Sequence, residues 1–176
     1  MSAQNNTEAT TLYFSTKIPD TWMYETGSNS YMAQFMGFGP VNFIKAIPVE
    51  VAEILATDDY DNSTSFVAQF HQEEGYSMKN APFSMFEKYI LNNWIDTKRW
   101  NVTNTDNKSI KIDTEPTIKI LANGKKQTES ENQKIIVYAT KHDDNAYVFE
   151  AFGDPLNFNK YLPEFEQMIK TIKWID

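Results

Sequence analysis

Cysteine is absent from this chain of 176 residues. Its absence excludes disulfides, thiolate nucleophiles, and zinc or iron–sulfur sites that use cysteine ligands. Glycine and proline are sparse, with six and seven residues, and they do not collect into a long linker. A chain of this length without such a linker is expected to form one domain.

Basic residues are also few, since 16 lysines and arginines stand against 24 aspartates and glutamates, for a net charge of −8. Nucleic acids and anionic membrane surfaces bind basic faces, so we expect neither as a partner. No apolar run reaches the ~18 residues that span a bilayer, so we expect no direct membrane insertion. The hydrophobic fraction of 41% indicates a globular protein rather than a disordered one.

Catalytic motifs are missing as well. The sequence has no Gly-x-Ser-x-Gly and no His-Glu-x-x-His, and it contains only two histidines. Gly37 and Gly39 lack the third glycine of a dinucleotide-binding loop, and Pro40 follows them. We therefore predict that the protein is not an enzyme and has no catalytic residues and no organic cofactor.

The first eleven residues are polar, with neither the basic region nor the apolar region of a signal peptide. We predict a disordered tail over residues 1–11, followed by a single domain over residues 12–176. Two origins for such a tail remain open at this stage. It is either a cytosolic N-terminus or a polar linker that remains after a signal or membrane anchor has been removed.

Residues 134–175 carry the strongest local pattern. Two runs rich in β-branched and aromatic residues, 134–141 and 146–152, are joined by the polar link 142–145 and predict a β-hairpin. After Gly153, apolar side chains recur at steps of three and four, which predicts an amphipathic helix. Because proline is disfavoured deep in a helix, Pro163 predicts that the regular helix begins near residues 159–162.

In the rest of the chain, strand patterns outnumber helix patterns. Helices are predicted at 49–56 and from about 82 to 96, and a turn is predicted at Asn123 and Gly124. The other strand predictions are 12–18, 22–25, 41–47, 66–71, 100–103, 109–113 and 117–121, with Trp174 and Ile175 returning to the core in a last extended piece. Because turns connect most of these strands, we predict an α+β fold with a mainly antiparallel sheet.

Both ends of this pattern resemble a known family. Phe14, Ile18, Pro19 and Trp22 are similar to the opening strand of PsbP-like domains, and residues 161–174 are similar to their closing helix and strand. The middle of the chain, at residues 80–83, 115–120 and 122–124, resembles PsbP-like proteins of ammonia-oxidising archaea. The resemblance to this PsbP/Mog/DcrB-like superfamily covers residues 12–175. It implies an α/β/α sandwich with a central, mainly antiparallel sheet.

The resemblance also implies a function class. PsbP proteins are non-enzymatic subunits that help photosystem II retain calcium and chloride, DcrB-type members are envelope proteins, and Mog proteins regulate the GTPase Ran. We therefore expect a monomeric, non-catalytic accessory domain that binds a partner protein or a membrane complex. It would lie outside the cytoplasmic membrane, anchored or with its signal removed. An intracellular regulator of a GTPase, similar to the Mog proteins, is an alternative.

A binding module for a small ligand or a divalent metal is the other alternative. His142, Asp143 and Asp144 lie at the predicted hairpin tip, where their donor atoms could converge. His71 and Glu73 share one face of another predicted strand, because side chains alternate with a period of two. Imidazole and carboxylate ligands suit zinc, manganese or copper. The competing interpretation is an acidic turn chosen for its turn propensity, with solvated histidines.

Two further segments are candidates for binding. Residues 59–63 have the oxygen spacing of a calcium loop, but Thr64 and Phe70 replace the glycine and glutamate of an EF-hand, so we predict an acidic loop there. Residues 31–43 are apolar without clear periodicity, as expected of a partner-binding surface or a pocket wall. A third set of candidates could line a ligand pocket, but aromatic residues on helix stripes and strand faces more often lie in the core, which is what we predict for them: Trp22, Phe35, Phe38, Trp94, Trp100 and Trp174.

Overall fold

The computed structural model describes residues 5–28, 42–57, 65–73, 82–91, 100–106, 110–125, 132–143 and 145–176. The strands are β1 (Asn6–Thr10), β2 (Phe14–Pro19), β3 (Trp22–Ser28), β4 (Asn42–Pro48), β5 (Phe66–Glu73), β6 (Trp100–Asp106), β7 (Lys111–Ile112), β8 (Glu115–Lys125), β9 (Asn132–His142), β10 (Asn145–Gly153) and β11 (Lys173–Trp174). The helices are α1 (Val49–Leu55), α2 (Phe83–Tyr89) and α3 (Pro155–Lys170).

Most of these strands form one large antiparallel sheet. Its order is β3-β4-β5-β10-β9-β8-β6, and the short β7 pairs with β8. A smaller sheet has the order β1-β2-β11. Each strand pair within the described residues is antiparallel. The predicted α+β class with a mainly antiparallel sheet is therefore confirmed.

The hairpin of β9 and β10 lies in the middle of the large sheet, in register from His142 opposite Asn145 to Lys134 opposite Gly153. Neighbouring residues on β9 face opposite sides. Ile136 and Tyr138 join the core on one face, and Val137 and Ala139 join the core on the other. Both faces are buried, which explains why the strand reads as a nearly continuous apolar run.

The first face of the sheet is covered by α3 together with the small sheet. The buried residues of α3 are Phe158, Tyr161, Phe165, Met168 and Ile169. From the small sheet, Phe14 brings its ring to 5.9 Å from the ring of Tyr147 and 5.2 Å from the ring of Phe149. The end strand β11 confirms the predicted return to the core for Trp174. For Ile175 the prediction is wrong, because this residue follows the strand and is 41% exposed.

The second face is covered by the helix α2. Phe86 and Ile90 are fully buried there and pack with Ile120, Val137 and Val148. Apolar residues at this spacing lie on one side of a helix, so the helix predicted from residue 82 is confirmed as far as residue 91. Helices therefore lie on both faces of the large sheet.

The predicted start of the last helix is wrong. The helix α3 begins at Pro155, and the carboxylate of Asp154 accepts hydrogen bonds from the backbone N–H groups of Leu156 and Asn157. Pro163 lies inside the helix and is exposed. A proline in a helix costs about 3 kcal/mol. Each fully buried apolar side chain returns about 1.5–3 kcal/mol, so the N-cap and the five buried residues outweigh that cost.

The predicted disordered tail is also wrong over part of its length. Residues 6–10 form β1, which pairs with β2 from Asn6 opposite Pro19 to Thr10 opposite Ser15. Only Ala9 of this strand is buried, and its other four residues are exposed. The strand lies at the edge of the small sheet, where exposed polar residues are expected. Its sequence therefore lacks an apolar strand pattern, and backbone pairing with β2 makes it a strand.

The turn predicted at Asn123 and Gly124 is wrong as well. The strand β8 continues through both residues, and Gly124 pairs with Gln133 of β9 on one side and Trp100 of β6 on the other. Backbone pairing on both edges overrides the local preference of an Asn-Gly pair for a turn.

Several predictions fall outside the described residues. They concern the acidic loop 59–63, the part of the helix beyond residue 91, and most of the apolar segment 31–43. Within the described ranges, no helix is both long and apolar enough to cross a membrane.

We expect Gly153→Ala to destabilise the fold. A Cβ atom at Gly153 would lie 2.2 Å from the carbonyl oxygen of Ser65, which accepts a hydrogen bond from the backbone of Asp154. Because this neighbour is backbone, we expect a loss of about 1–3 kcal/mol in the free energy of unfolding. Urea denaturation measures it. Gly27→Ala is the matched control, since its Cβ would meet the movable ring of Phe43 at 3.0 Å and cost less. Equal losses in the two variants would contradict this account.

Candidate functional site

Three segments of the chain meet around His142, the last residue of β9. On this strand, residues two apart share a face, so His142 continues the row of Ile136, Tyr138 and Thr140 toward the side covered by α3. Beside it, the hydroxyl of Thr140 donates a hydrogen bond to the carbonyl oxygen of Pro116. This bond ties β9 to the start of β8, where the second segment of the site begins.

The second segment is the tight turn between β7 and β8. Ile112 pairs with Glu115, so Asp113 and Thr114 form a two-residue connection, with φ angles of 41° and 80°. Positive φ at both positions is the geometry of a hairpin turn that follows the twist of its strands. The turn brings the carboxylate of Glu115 to His142, with 3.2 Å between Oε1 and the imidazole Nδ1.

The third segment is β11 and the residues after it. The backbone N–H of Trp174 donates to the carboxylate of Asp113 at 3.2 Å. The backbone N–H of Ile175 donates to the carbonyl oxygen of Tyr13 at 2.8 Å. The indole of Trp174 lies flat on the imidazole of His142, with 4.6 Å between ring centroids and 6° between ring planes. The stacked ring restricts the rotation of the imidazole.

The other imidazole nitrogen, Nε2, faces two carboxylates. It lies 3.1 Å from Oδ1 of Asp176 and 3.6 Å from Oδ2 of Asp143. One donor atom from each of these three residues lies within 4.8 Å of the others. The His142 side chain is only 16% exposed, whereas those of Asp143 and Asp176 are 77% and 83% exposed. The imidazole is therefore fixed, and the two carboxylates can rotate.

The surroundings of His142 act on its pKa in opposite directions. Burial alone would lower this pKa, because it disfavours the charged imidazolium. The hydrogen bonds to Asp176 and Glu115 and the nearby charges of Asp143 and Glu115 together outweigh burial and raise the pKa of His142. The imidazolium then donates from Nδ1 to Glu115 and from Nε2 to Asp176. Three carboxylates surround one cation, so negative charge is in excess.

The predicted metal residues do not form one site. His142 and Asp143 lie together, while Asp144 falls outside the described residues. His71 pairs with Val148 on the opposite face of the sheet, where its Nε2 lies 3.9 Å from Oε1 of Glu150. Glu73 lies two positions further along β5, and its side chain is outside the described part of the chain. His71 is separated from His142 because side chains alternate along β5. Phe70 faces the side of the sheet covered by α3, and its neighbour His71 faces the opposite side.

Sequence reasoning missed Glu115 and Asp176 as members of the site. They lie 27 and 34 residues from His142, so no local motif connects them. One signal was present. The period of two places His142 on the face of Tyr138, and Trp174 was expected to return to the core. Together these two inferences would have directed the residues after Trp174 toward His142.

We expect His142 to make the stability of the apo-protein depend on pH. Because its pKa is raised in the folded state, its stabilising contribution is fully present below its unfolded pKa of about 6.5 and is lost as pH rises through the folded pKa. The gap in unfolding free energy between wild type and His142→Gln should therefore be largest near about pH 6 and shrink toward about pH 9.

Urea denaturation across this pH range in the presence of EDTA measures the gap. Glu115→Gln provides the control. In this background, His142→Gln should cost less unfolding free energy at low pH than it does in the wild type, because one hydrogen-bonded carboxylate of the imidazolium has been removed. A gap that widens as the pH rises would contradict the raised pKa.

No protein-family model matches this chain, and no curated protein matches it in sequence. Among solved structures, it is similar to PA94 of Pseudomonas aeruginosa, a protein of unknown function described as a candidate regulator. The TM-score is 0.54 at 11% identity, covering 89% of this chain and 88% of that one. A structure from Bacteroides thetaiotaomicron gives 0.51 at 10% identity over 93% of this chain, which spans only 45% of that longer protein. At such identities the similarity establishes a shared α+β fold.

Proposed function

We propose that this chain is a non-catalytic binding module and that its ligand is a divalent transition-metal ion. The ion would be held by Nε2 of His142 and by one carboxylate oxygen each from Asp143 and Asp176. The observation that carries the proposal is the convergence of these three donor atoms within 4.8 Å of one another. The donors come from the end of β9, from the turn that follows it and from the chain after β11.

The distances between the donors fit such an ion. Zinc binds imidazole nitrogen and carboxylate oxygen at about 2.0–2.2 Å, which separates the ligands of a tetrahedral ion by about 3.4 Å. The observed separations from Nε2 are 3.1 Å to Asp176 and 3.6 Å to Asp143. Because both carboxylates are exposed, their side chains are free to rotate toward a shared ion. Nitrogen and oxygen donors together favour zinc, manganese or copper over calcium.

The residues behind His142 support its role as a ligand. In metal sites, the second nitrogen of a ligating histidine commonly donates to a carboxylate, which orients the ring and raises its basicity. Glu115 lies in this position, 3.2 Å from Nδ1. Trp174 packs against the ring face. Three protein donors leave the fourth position of a tetrahedral ion for water.

The charge of the site also supports a cation. Three carboxylates, from Glu115, Asp143 and Asp176, surround one imidazole. An incoming metal replaces the proton on Nε2, so affinity should increase with pH as the imidazolium loses its proton. The bound ion would then supply the positive charge that the proton supplied before.

The wider setting we propose is that of a PsbP-like accessory domain. We propose that it lies outside the cytoplasmic membrane and acts as a monomer on a partner protein or membrane complex. The family resemblance of the two chain ends supports this proposal. So does the observed architecture, since an antiparallel sheet with helices on both faces is the arrangement that the resemblance implies.

A protein-docking function is the second candidate, and the strand β3 favours it. This strand is an end of the large sheet. A groove of about 270 Å³ lies along it, lined by Met23, Tyr24, Glu25, Lys45 and Ile47. Met23 is 54% exposed there. An end strand beside an apolar groove suits an extended segment of a partner protein, which would add a strand and insert an apolar side chain.

Metal binding is tested by calorimetry on tag-free protein at about pH 7.5. We expect one Zn²⁺ or Mn²⁺ per chain, no binding by His142→Ala, and weaker binding by Asp176→Asn. Glu115→Gln should weaken binding by about 10–100-fold, because it removes the partner of the ligating imidazole.

The matched control is His71→Gln, which alters the histidine on the opposite face and should leave binding unchanged. The metal proposal is wrong if Zn²⁺, Mn²⁺ and Cu²⁺ all fail to bind, or if Ca²⁺ is the one ion of the four that binds. It is equally wrong if His142→Ala binds as tightly as the wild type.

Docking along β3 is tested by capturing proteins from native membranes on immobilised variants. We expect Met23→Lys to lose a protein that the wild type retains, because a charged side chain would replace an apolar one that a docked segment would cover. Leu156→Lys is the matched control, since Leu156 is 81% exposed at the start of α3, away from the groove. Equal retention by all three proteins would exclude this surface.

A further inference from the structure

We propose that the metal site is a clasp that fixes the C-terminal strand β11 to the central hairpin. This inference rests on the proposed function, because it assigns a structural consequence to the same ion. His142 and Asp143 belong to the end of β9 and the turn after it, whereas Asp176 follows β11. An ion bound by all three would therefore link two parts of the fold that are far apart along the chain.

The strand β11 is short and is held by few backbone bonds. It spans two residues, Lys173 and Trp174, which pair with Ser15 and Phe14 of β2. It lies at one edge of the three-stranded sheet, directly after the end of α3. Short edge strands open locally at lower free energy than core strands do. We therefore expect β11 to exchange its amide hydrogens through local opening rather than global unfolding.

Opening of β11 would dismantle the site. The ring of Trp174 would leave the imidazole of His142 and the ring of Tyr147, which now lie 4.6 and 4.8 Å away between centroids. The carboxylate of Asp176 would be withdrawn from the ion, leaving two protein donors. An ion that binds the closed form more tightly than the open form must oppose the opening.

The opening also uncovers part of the first core. Trp174 packs against the buried cluster that contains Phe14, Tyr147 and Phe149. Its indole N–H donates to the carbonyl oxygen of Ile112 at 3.4 Å, so the turn of β7 and β8 is attached to the same strand. An ion bound by Asp176 would thus keep Trp174 in place over the end of the first core. The role assigned to the ion is structural, and it requires no reaction at the metal.

Hydrogen exchange followed by mass spectrometry tests the clasp on the whole chain, with and without Zn²⁺. We expect exchange in residues 173–175 to slow on addition of Zn²⁺, by up to about 100-fold at a free concentration of 100 times Kd. Peptides from β5, in the middle of the large sheet, report on global stability and should show no comparable slowing. Asp176→Asn should lose the selective slowing. Asp20→Asn, an exposed carboxylate in the turn before β3, should keep it.

The outcomes separate this inference from the function on which it rests. If calorimetry detects binding of none of Zn²⁺, Mn²⁺ and Cu²⁺, both proposals are overturned. If Zn²⁺ binds but exchange at residues 173–175 is unchanged, or slows equally throughout the chain, the clasp is overturned and the metal site stands. If Zn²⁺ slows exchange as strongly in Asp176→Asn, the assigned ligand and the clasp are both wrong.

Discussion

The structure depends on burying both faces of the hairpin formed by β9 and β10. Their alternating side chains are apolar on each side, so neither face can be left to solvent without losing the burial that stabilises the fold. The helix α3 and the small sheet cover one face, and α2 covers the other. The need to cover the first face also explains the short β11, because its residue Trp174 packs against the end of the first core.

The candidate site lies where α3 and the small sheet stop covering the first face of the large sheet. His142 is the last residue of β9, on the face of Tyr138, at the boundary between core and solvent. One side of its ring contacts Trp174, and its two nitrogens face carboxylates. A fixed imidazole between a partly buried aromatic ring and exposed carboxylates can hold a proton, and in our proposal it holds a metal ion instead. The same contacts that close the core thus position the candidate ligands.

The fold alone does not specify this chemistry. Proteins of one fold carry different sites, and function has to be argued from the residues of the site. In this protein the candidate site consists of side chains at strand ends and turns. The non-glycine residues with positive φ among the described residues are Asp113, Thr114 and Asp143, and all three lie in the two turns that supply residues of the site. Such backbone conformations persist where the surrounding contacts hold them, and they are concentrated at functional positions.

Sequence patterns were enough to predict the α+β class, the central hairpin, the apolar faces of α2 and α3, and the return of Trp174 to the core. Each of these follows from a local period of two or of about 3.6 residues. Long-range contacts, in contrast, make residues 6–10 a strand, carry β8 through Asn123 and Gly124, and allow α3 to start at Pro155. Pairing with distant strands and burial against distant residues outweigh local preference there. The site divides in the same way. His142 and Asp143 are neighbours in sequence, whereas Glu115 and Asp176 reach them only through strand pairing, which also places His71 on the opposite face.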